Sequence, residues 1–238
     1  MDKNQKLEQL IVAEAKAAQL FSEIEAREII KANVSEKDVN TAVYDLAFEL
    51  FGIKKYWHKR IVRAGKNTLL PYKHNPDDLI IQDDDIVFLD FGPVFEEWEA
   101  DFGRTYVIGS NEKKLKLKAD VERAWYEGKA FYQARKETIT ASELFHFTKT
   151  MAQQYGWTFG NHHCGHLIGN FPHEIIQGEE LANYIHADNT LKMSDKDRNN
   201  DDRFWIYEVH FIDEALQIGG FFEQLVDGEI YIELGFEI

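Results

Sequence analysis

Two strand-like runs each hold one carboxylate among apolar side chains: Glu208 within WIYEV and Glu223 within GFFEQLV. An ionised carboxylate buried without a partner costs several kcal/mol. Each must therefore meet solvent, an arginine or a metal ion. Asp90 and Asp101 pose a related question, because they stand eleven residues apart on consecutive strand-like runs. If those runs form a hairpin, the two side chains are expected to face each other across it. Facing carboxylates repel unless a cation lies between them.

Histidine supplies the complementary chemistry, since neutral imidazole is both a common metal ligand and a proton carrier. Four of the nine histidines, His162, His163, His166 and His173, fall within twelve residues in HHCGHLIGNFPH. His162 and His166 have the four-residue spacing of a helical zinc pair, but Gly165, Gly169 and Pro172 argue against a helix. His163 reads as a surface residue, and Cys164 as a small buried filler rather than a soft ligand. His74, in YKHNP, reads by itself as a loop histidine.

These residues need elements to hold them. Leu7, Leu10, Ile11, Ala18, Phe21 and Ile24 recur at helical spacing. A second helix is expected to start at Ser35, with Glu36 and Asp38 in its first turn, and to close at Gly52. Residues 54–76 read as irregular or short strands. Strands are expected over 86–91, up to 108 after a Gly92–Pro93 turn, and over 204–212, 221–226 and 230–234. Helices are expected over 112–136 and 140–155. Residues 194–203 (SDKDRNNDDR) read as a solvated loop that could overhang the site. No Gly/Ser-rich linker divides the chain, so a single α+β domain over 1–238 is expected. The order helices, strands, helices, strands suggests two similar halves.

Composition narrows the partners. The net charge of −15, from 42 acidic and 27 basic residues, argues against nucleic acid or an anionic membrane, both of which need a positive footprint. No apolar run is long enough to span a bilayer, and the charged start MDKNQKLEQL is not a signal peptide. A single cysteine excludes an internal disulfide framework and fits a reducing cytoplasm.

Taken in order, DFGPVFEEWEADFGRT, GHLIGNFPHE, WIYEVHF and FFEQLVDG resemble the five-ligand set of the pita-bread metallopeptidases, which include methionine aminopeptidases, Xaa-Pro aminopeptidases and prolidases. The resemblance implies a pita-bread fold, two pseudo-symmetric halves around a curved antiparallel sheet. It also implies two divalent ions (Mn, Co, Fe or Zn). Asp90 would chelate one ion, Asp101 and Glu223 would bridge both, and His166 and Glu208 would complete the other. Glu208 would take a proton from the attacking water, His173 would steady the substrate carbonyl, and His74 would meet the substrate backbone. His162 matches an extra histidine of the Xaa-Pro branch. The implied activity is metal-dependent exopeptidase cleavage of a peptide or dipeptide, with a homodimer left open. DFGRT points to the Xaa-Pro branch, yet that branch normally has Pro after the first ligand Glu and Arg two residues before the last. Here those positions are Val209 and Phe221. Two other readings therefore stay open: a creatinase-like hydrolase of a non-peptide C–N bond, and a pita-bread module that binds a partner without cleaving it.

Overall fold

The computed structural model describes residues 1–173 and 180–228. Helix α1, Lys3–Ala26, opens on a capping box in which Asp2 accepts from the Gln5 amide and Gln5 returns the bond. Helix α2, Glu36–Phe51, starts after Ser35, which forms the same box with Asp38, and stops at Gly52 in the left-handed region, φ 68°. Both ends fall where the sequence signals place them. The stretch 54–76 contains strand β1, Ile61–Ala64, and a 3-10 turn, Gly65–Leu69. Strand β2 is Ile86–Phe91, followed by a two-stranded ribbon of β3, Val94–Phe95, and β4, Trp98–Glu99. Strand β5, Phe102–Val107, leads to helix α3, Glu112–Gln133, and helix α4, Ala141–Tyr155. The remaining strands are β6, Thr158–Phe159; β7, His163–Ile168; β8, Tyr184–His186; β9, Phe204–Asp213; and β10, Ile218–Leu225. The strand expected over 230–234 lies outside the described residues.

The main sheet is antiparallel throughout, ordered β1-β2-β5-β10-β9-β7-β8, with β6 beside β9. This is the expected α+β architecture. Strand alternation sorts side chains between its two faces. Val87, Leu89 and Phe91 of β2 pack with Phe21, Ile24, Val43 and Leu46 of α1 and α2. Trp205, Tyr207, Val209 and Phe211 of β9 and Phe222 of β10 pack with Leu117, Val121, Trp125 and Leu144 of α3 and α4. The alternate positions, Asp90, Glu208 and Glu223, are thereby turned to the opposite face. Cys164 lies in the core under α3 and α4, as expected of a filler. The 194–203 loop has its contacts elsewhere than an overhanging loop would: Lys6 Nζ reaches Asp201 at 3.2 Å, and Ser194 Oγ donates to the Glu137 carbonyl. Among the described residues no helix is long and apolar enough to cross a membrane.

Candidate metal centre

The strand register explains how the carboxylates meet. Asp90 pairs with Gly103, Gly103 pairs with Glu223, and Glu223 pairs with Glu208, so one row crosses four strands. Asp101 does not sit directly opposite Asp90; it precedes β5 and reaches the row from its end. Gly103 is what leaves room at the middle. A Cβ there would lie 2.5 Å from the Phe221 ring and 3.0 Å from Glu223 Cβ.

Only one Cα pair, Glu223 with Gly103, joins β5 to β10, and the neighbouring Arg-Thr pair supplies the missing bonds. Arg104 Nη1 donates to the Gly103 and Glu223 carbonyls at 2.8 and 2.9 Å, and Nη2 donates to Gln224 Oε1. Its guanidinium stacks between Phe102 and Phe222, 3.7 Å from each ring centre. Thr105 Oγ1 donates to the Phe221 carbonyl and accepts from the Phe221 amide. The two residues thus fix the strand that carries Glu223.

Helix α1 adds a second anchor that sequence reasoning missed. Glu14 is buried and accepts from the Asp101 amide at 3.1 Å and the Leu225 amide at 2.8 Å. One carboxylate therefore ties together the segments bearing Asp101 and Glu223. Burial, only partly opposed by these amides, pushes the Glu14 carboxyl up to about 8. Glu14→Gln places an amide NH₂ against one backbone N–H. The expected loss is about 1–3 kcal/mol, read from the denaturant midpoint.

Asp90, Asp101, Glu208 and Glu223 are all buried. Burial, and then Asp101 and Asp90, hold Glu223 well above the usual carboxylate range. Burial likewise raises Asp90 to about 7, against the pull of His58. Asp101 goes the other way: its burial is outweighed by His58 and His166, so it sits below its usual value. His166 Nδ1 lies 2.9 Å from the Leu167 carbonyl, and its Nε2 lies 3.1 Å from Asp101 Oδ2 and 3.7 Å from Glu223 Oε1. The five residues expected as ligands thus come together on one face.

A like-charged pair about 4 Å apart costs about 4 kcal/mol at an effective dielectric of about 20. Four buried carboxylates in one row therefore call for cations. Among the described residues, neither Asp90 Oδ1 nor Glu223 Oε2 receives a hydrogen bond, although both are buried. Two orphaned carboxylate oxygens beside imidazole nitrogens are what a divalent-metal site leaves open when the protein atoms are considered alone. The donor set fits such ions, and four negative charges match two of them.

The other expected residues are distributed differently. His173 lies beside the cluster. Its Nδ1 is 2.6 Å from Glu99 Oε2, and its amide donates to Glu99 Oε1. Glu99 is nearly fully buried and also accepts from the Gly169 amide, so it fixes both the ring and the turn behind it. His74 is exposed. It contributes its carbonyl, which accepts from Lys59 Nζ and Arg63 Nη2. His162 is also exposed, and it is His163 whose Nδ1 lies 2.6 Å from Glu208 Oε1. The cause is a bulge: between His163 and His166, three steps of β7 oppose two of β8. One extra residue inverts the alternation, bringing His163 rather than His162 to the face of His166.

Sequence reasoning missed two more residues. His58 lies 3.1 Å from Asp101 and 3.5 Å from Asp90. Trp57 meets His58, His166 and His173 edge-on at 4.5, 5.1 and 5.4 Å, and its Nε1 donates to the Ala100 carbonyl. Both fall in a stretch without periodicity, where a Trp-His pair carries no signal of its own.

Comparison with known proteins agrees with this geometry. The sequence profile of metallopeptidase family M24 matches residues 8–197. The chain is 30% identical over 151 residues to the Xaa-Pro dipeptidase of Pyrococcus horikoshii, covering 63% of this chain and 42% of that protein. It spans less than half the length of such curated relatives. The structure of X-Pro aminopeptidase from Thermotoga maritima superimposes with a TM-score of 0.74 at 19% identity, covering 93% of this chain and 58% of that one. Methionine aminopeptidase from Rickettsia prowazekii gives 0.71 at 15% identity, covering 94% of both chains. These two structures share the pita-bread fold with this chain.

Proposed function

The chain belongs to metallopeptidase family M24, and from that premise we propose that it is a metal-dependent exopeptidase that removes an N-terminal residue or splits a dipeptide. The reading takes residues 1–238 as one catalytic unit, acting in the cytoplasm. The observation that carries it is the buried row Asp90, Asp101, Glu208 and Glu223 with His166 beside it and two carboxylate oxygens unpartnered. Asp90, Asp101, His166, Glu208 and Glu223 would hold two divalent ions, and Mn, Co, Fe and Zn all suit that donor set. When bound, such ions supply a water of lowered pKa and a sink for the charge on the carbonyl oxygen.

The remaining roles belong to the protein. Glu208 takes the proton of the attacking water. Asn161 Nδ2 donates to its Oε1 at 3.3 Å, and His163 stands 2.6 Å from the same oxygen. The Asn161 bond holds the carboxylate in one orientation. Glu99 fixes the His173 ring through Nδ1 and leaves Nε2 free to face the substrate carbonyl, to which it donates only in the doubly protonated ring. Trp57 packs against three of the imidazoles and shields them from bulk water. Ile61, Phe88 and Phe221 form an apolar group around the position where the Xaa-Pro branch normally has Arg.

The test is digestion of a mixed peptide library with Mn²⁺ or with a chelator, read by mass spectrometry. Loss of one N-terminal residue only when metal is present is the expected result, and the residues removed distinguish a methionine from an Xaa-Pro preference. A protein that holds two ions but cuts no peptide under any metal refutes the proposal and points to a non-peptide substrate or a binding role.

A further inference from the structure

His58 and His166 are held in the same way. Each places Nδ1 near the carbonyl of the next residue, at 2.7 Å from Lys59 and 2.9 Å from Leu167. An Nδ1–H donated to that carbonyl leaves a lone pair on Nε2. Each Nε2 then lies 3.1 Å from a different oxygen of Asp101, with His58 on Oδ1 and His166 on Oδ2. Each also approaches one further carboxylate: Asp90 at 3.5 Å for His58 and Glu223 at 3.7 Å for His166. The result is two three-donor groups, His58/Asp90/Asp101 and Asp101/His166/Glu223. Within each group the donor atoms lie within 4.8 Å of one another, and Asp101 is common to both.

The seat of His58 is built for this ring. Its side chain is only 7% exposed, with Trp57 and Tyr72 packed edge-on against it. Gly92 provides the remaining space, since a Cβ there would lie 2.2 Å from His58 Cδ2 and 2.4 Å from both His58 Nε2 and Trp57 Nε1. The unpartnered Asp90 Oδ1 is the very oxygen nearest to His58. Donor atoms separated by 3.1–3.5 Å subtend roughly 95–115° at an ion roughly 2.1 Å from each, within the range of tetrahedral and octahedral sites.

We propose that His58 is a sixth protein ligand, giving an imidazole to the ion held by Asp90 and Asp101, so that each of the two ions has one histidine. The proposal rests on the two-metal reading above. Exchanging an oxygen donor or water for nitrogen moves that position toward Zn²⁺ and Co²⁺ and away from Mn²⁺. The competing arrangement keeps His58 as a protonated counter-charge that occupies the place of one ion.

The test uses the full chain, titrated with Zn²⁺, with metal content counted and the histidine ring nitrogens observed by ¹⁵N NMR. His58→Asn assigns the signal. Two ions per chain and two histidines coordinated through Nε2 are expected in the wild type. In His58→Asn one ion is held at least about 100-fold more weakly, and one Nε2 signal is lost. Two ions with His58 uncoordinated would overturn the proposal while leaving the two-metal reading intact. One ion with a protonated His58, or no ion at all, would overturn both. Because the wild-type spectrum already counts coordinated rings, a variant that fails to fold does not rescue the idea.

Discussion

Asp101→Ala is expected to lower metal-dependent peptide cleavage by about 10³-fold or more. Asp101 is the carboxylate shared by the two donor groups, so its loss weakens both positions together, whereas loss of Asp90 removes a donor from one. The fold is expected to survive. What Glu14 binds at this position is the backbone amide, and alanine keeps it. His58 and His166 also retain Asp90 and Glu223 as partners. Metal content should fall in parallel with activity, while the chelated variant melts cooperatively. A variant that kept full activity would remove the two-metal reading.

The second large effect concerns stability, metal and pH together. A ligand that binds only the folded state, at a concentration 100 times its Kd, stabilises it by about 2.7 kcal/mol. For a chain of this length that is a rise of about 5–11 °C in Tm. The rise should grow with pH between 6 and 8. In the metal-free protein burial opposes the charge on His58, but Asp101 and Asp90 prevail and raise it to about 9. A raised imidazole pKa gives stability that is fully present below the unfolded value near 6.5 and is lost as pH rises through about 9. Asp90, raised by burial to about 7, and Glu14, raised by burial to about 8, act with the same sign. Each keeps its proton in the fold at a pH where the unfolded chain has released it, so folding becomes less favourable as pH rises from about 4. Metal binds the deprotonated ligands and replaces those protons. Thermal melts with Mn²⁺ and with a chelator at pH 6 and pH 8 should therefore diverge, the chelated protein losing stability and the loaded one losing less. Parallel curves would mean that these groups do not share a metal site.

The ligand row was legible in the sequence because its residues break a rule. Glu208 and Glu223 stand in apolar strands, and a strand buried on both faces has no place for a charge unless something balances it. Asp90 was legible through its eleven-residue spacing from Asp101 on consecutive strand-like runs, and His166 through the clustering of histidines around it. The helices announced themselves through Ser35, Asp38 and Gly52. What stayed hidden depends on contacts between distant segments. Glu14 and Glu99 look like ordinary surface acids, one on an amphipathic helix and one in a tight ribbon. Only the folded chain brings the first to two amides and the second to His173. His58 lies in a segment whose path is set by the pairing of β1 with β2. His162 and His163 were exchanged because a single-residue bulge has no signature in spacing, although Gly165, at φ 142°, lies within it.

The ladder between β5 and β10 bears on the order of assembly. Gly103 and Glu223 are partners across 120 positions of sequence, and the bond from Leu225 to Glu14 spans 211. Contacts of such separation carry the full entropy of loop closure and form slowly. A chain emerging from the ribosome has Asp90, Asp101 and His166 in place long before Glu223 exists, and cannot close the row until then. Capture of the ion that Glu223 helps to hold should therefore be a late event that locks an already paired sheet rather than a nucleus that recruits it. Refolding followed by fluorescence should show an early phase whose rate is indifferent to metal concentration. The gain from metal should appear in the unfolding rate instead.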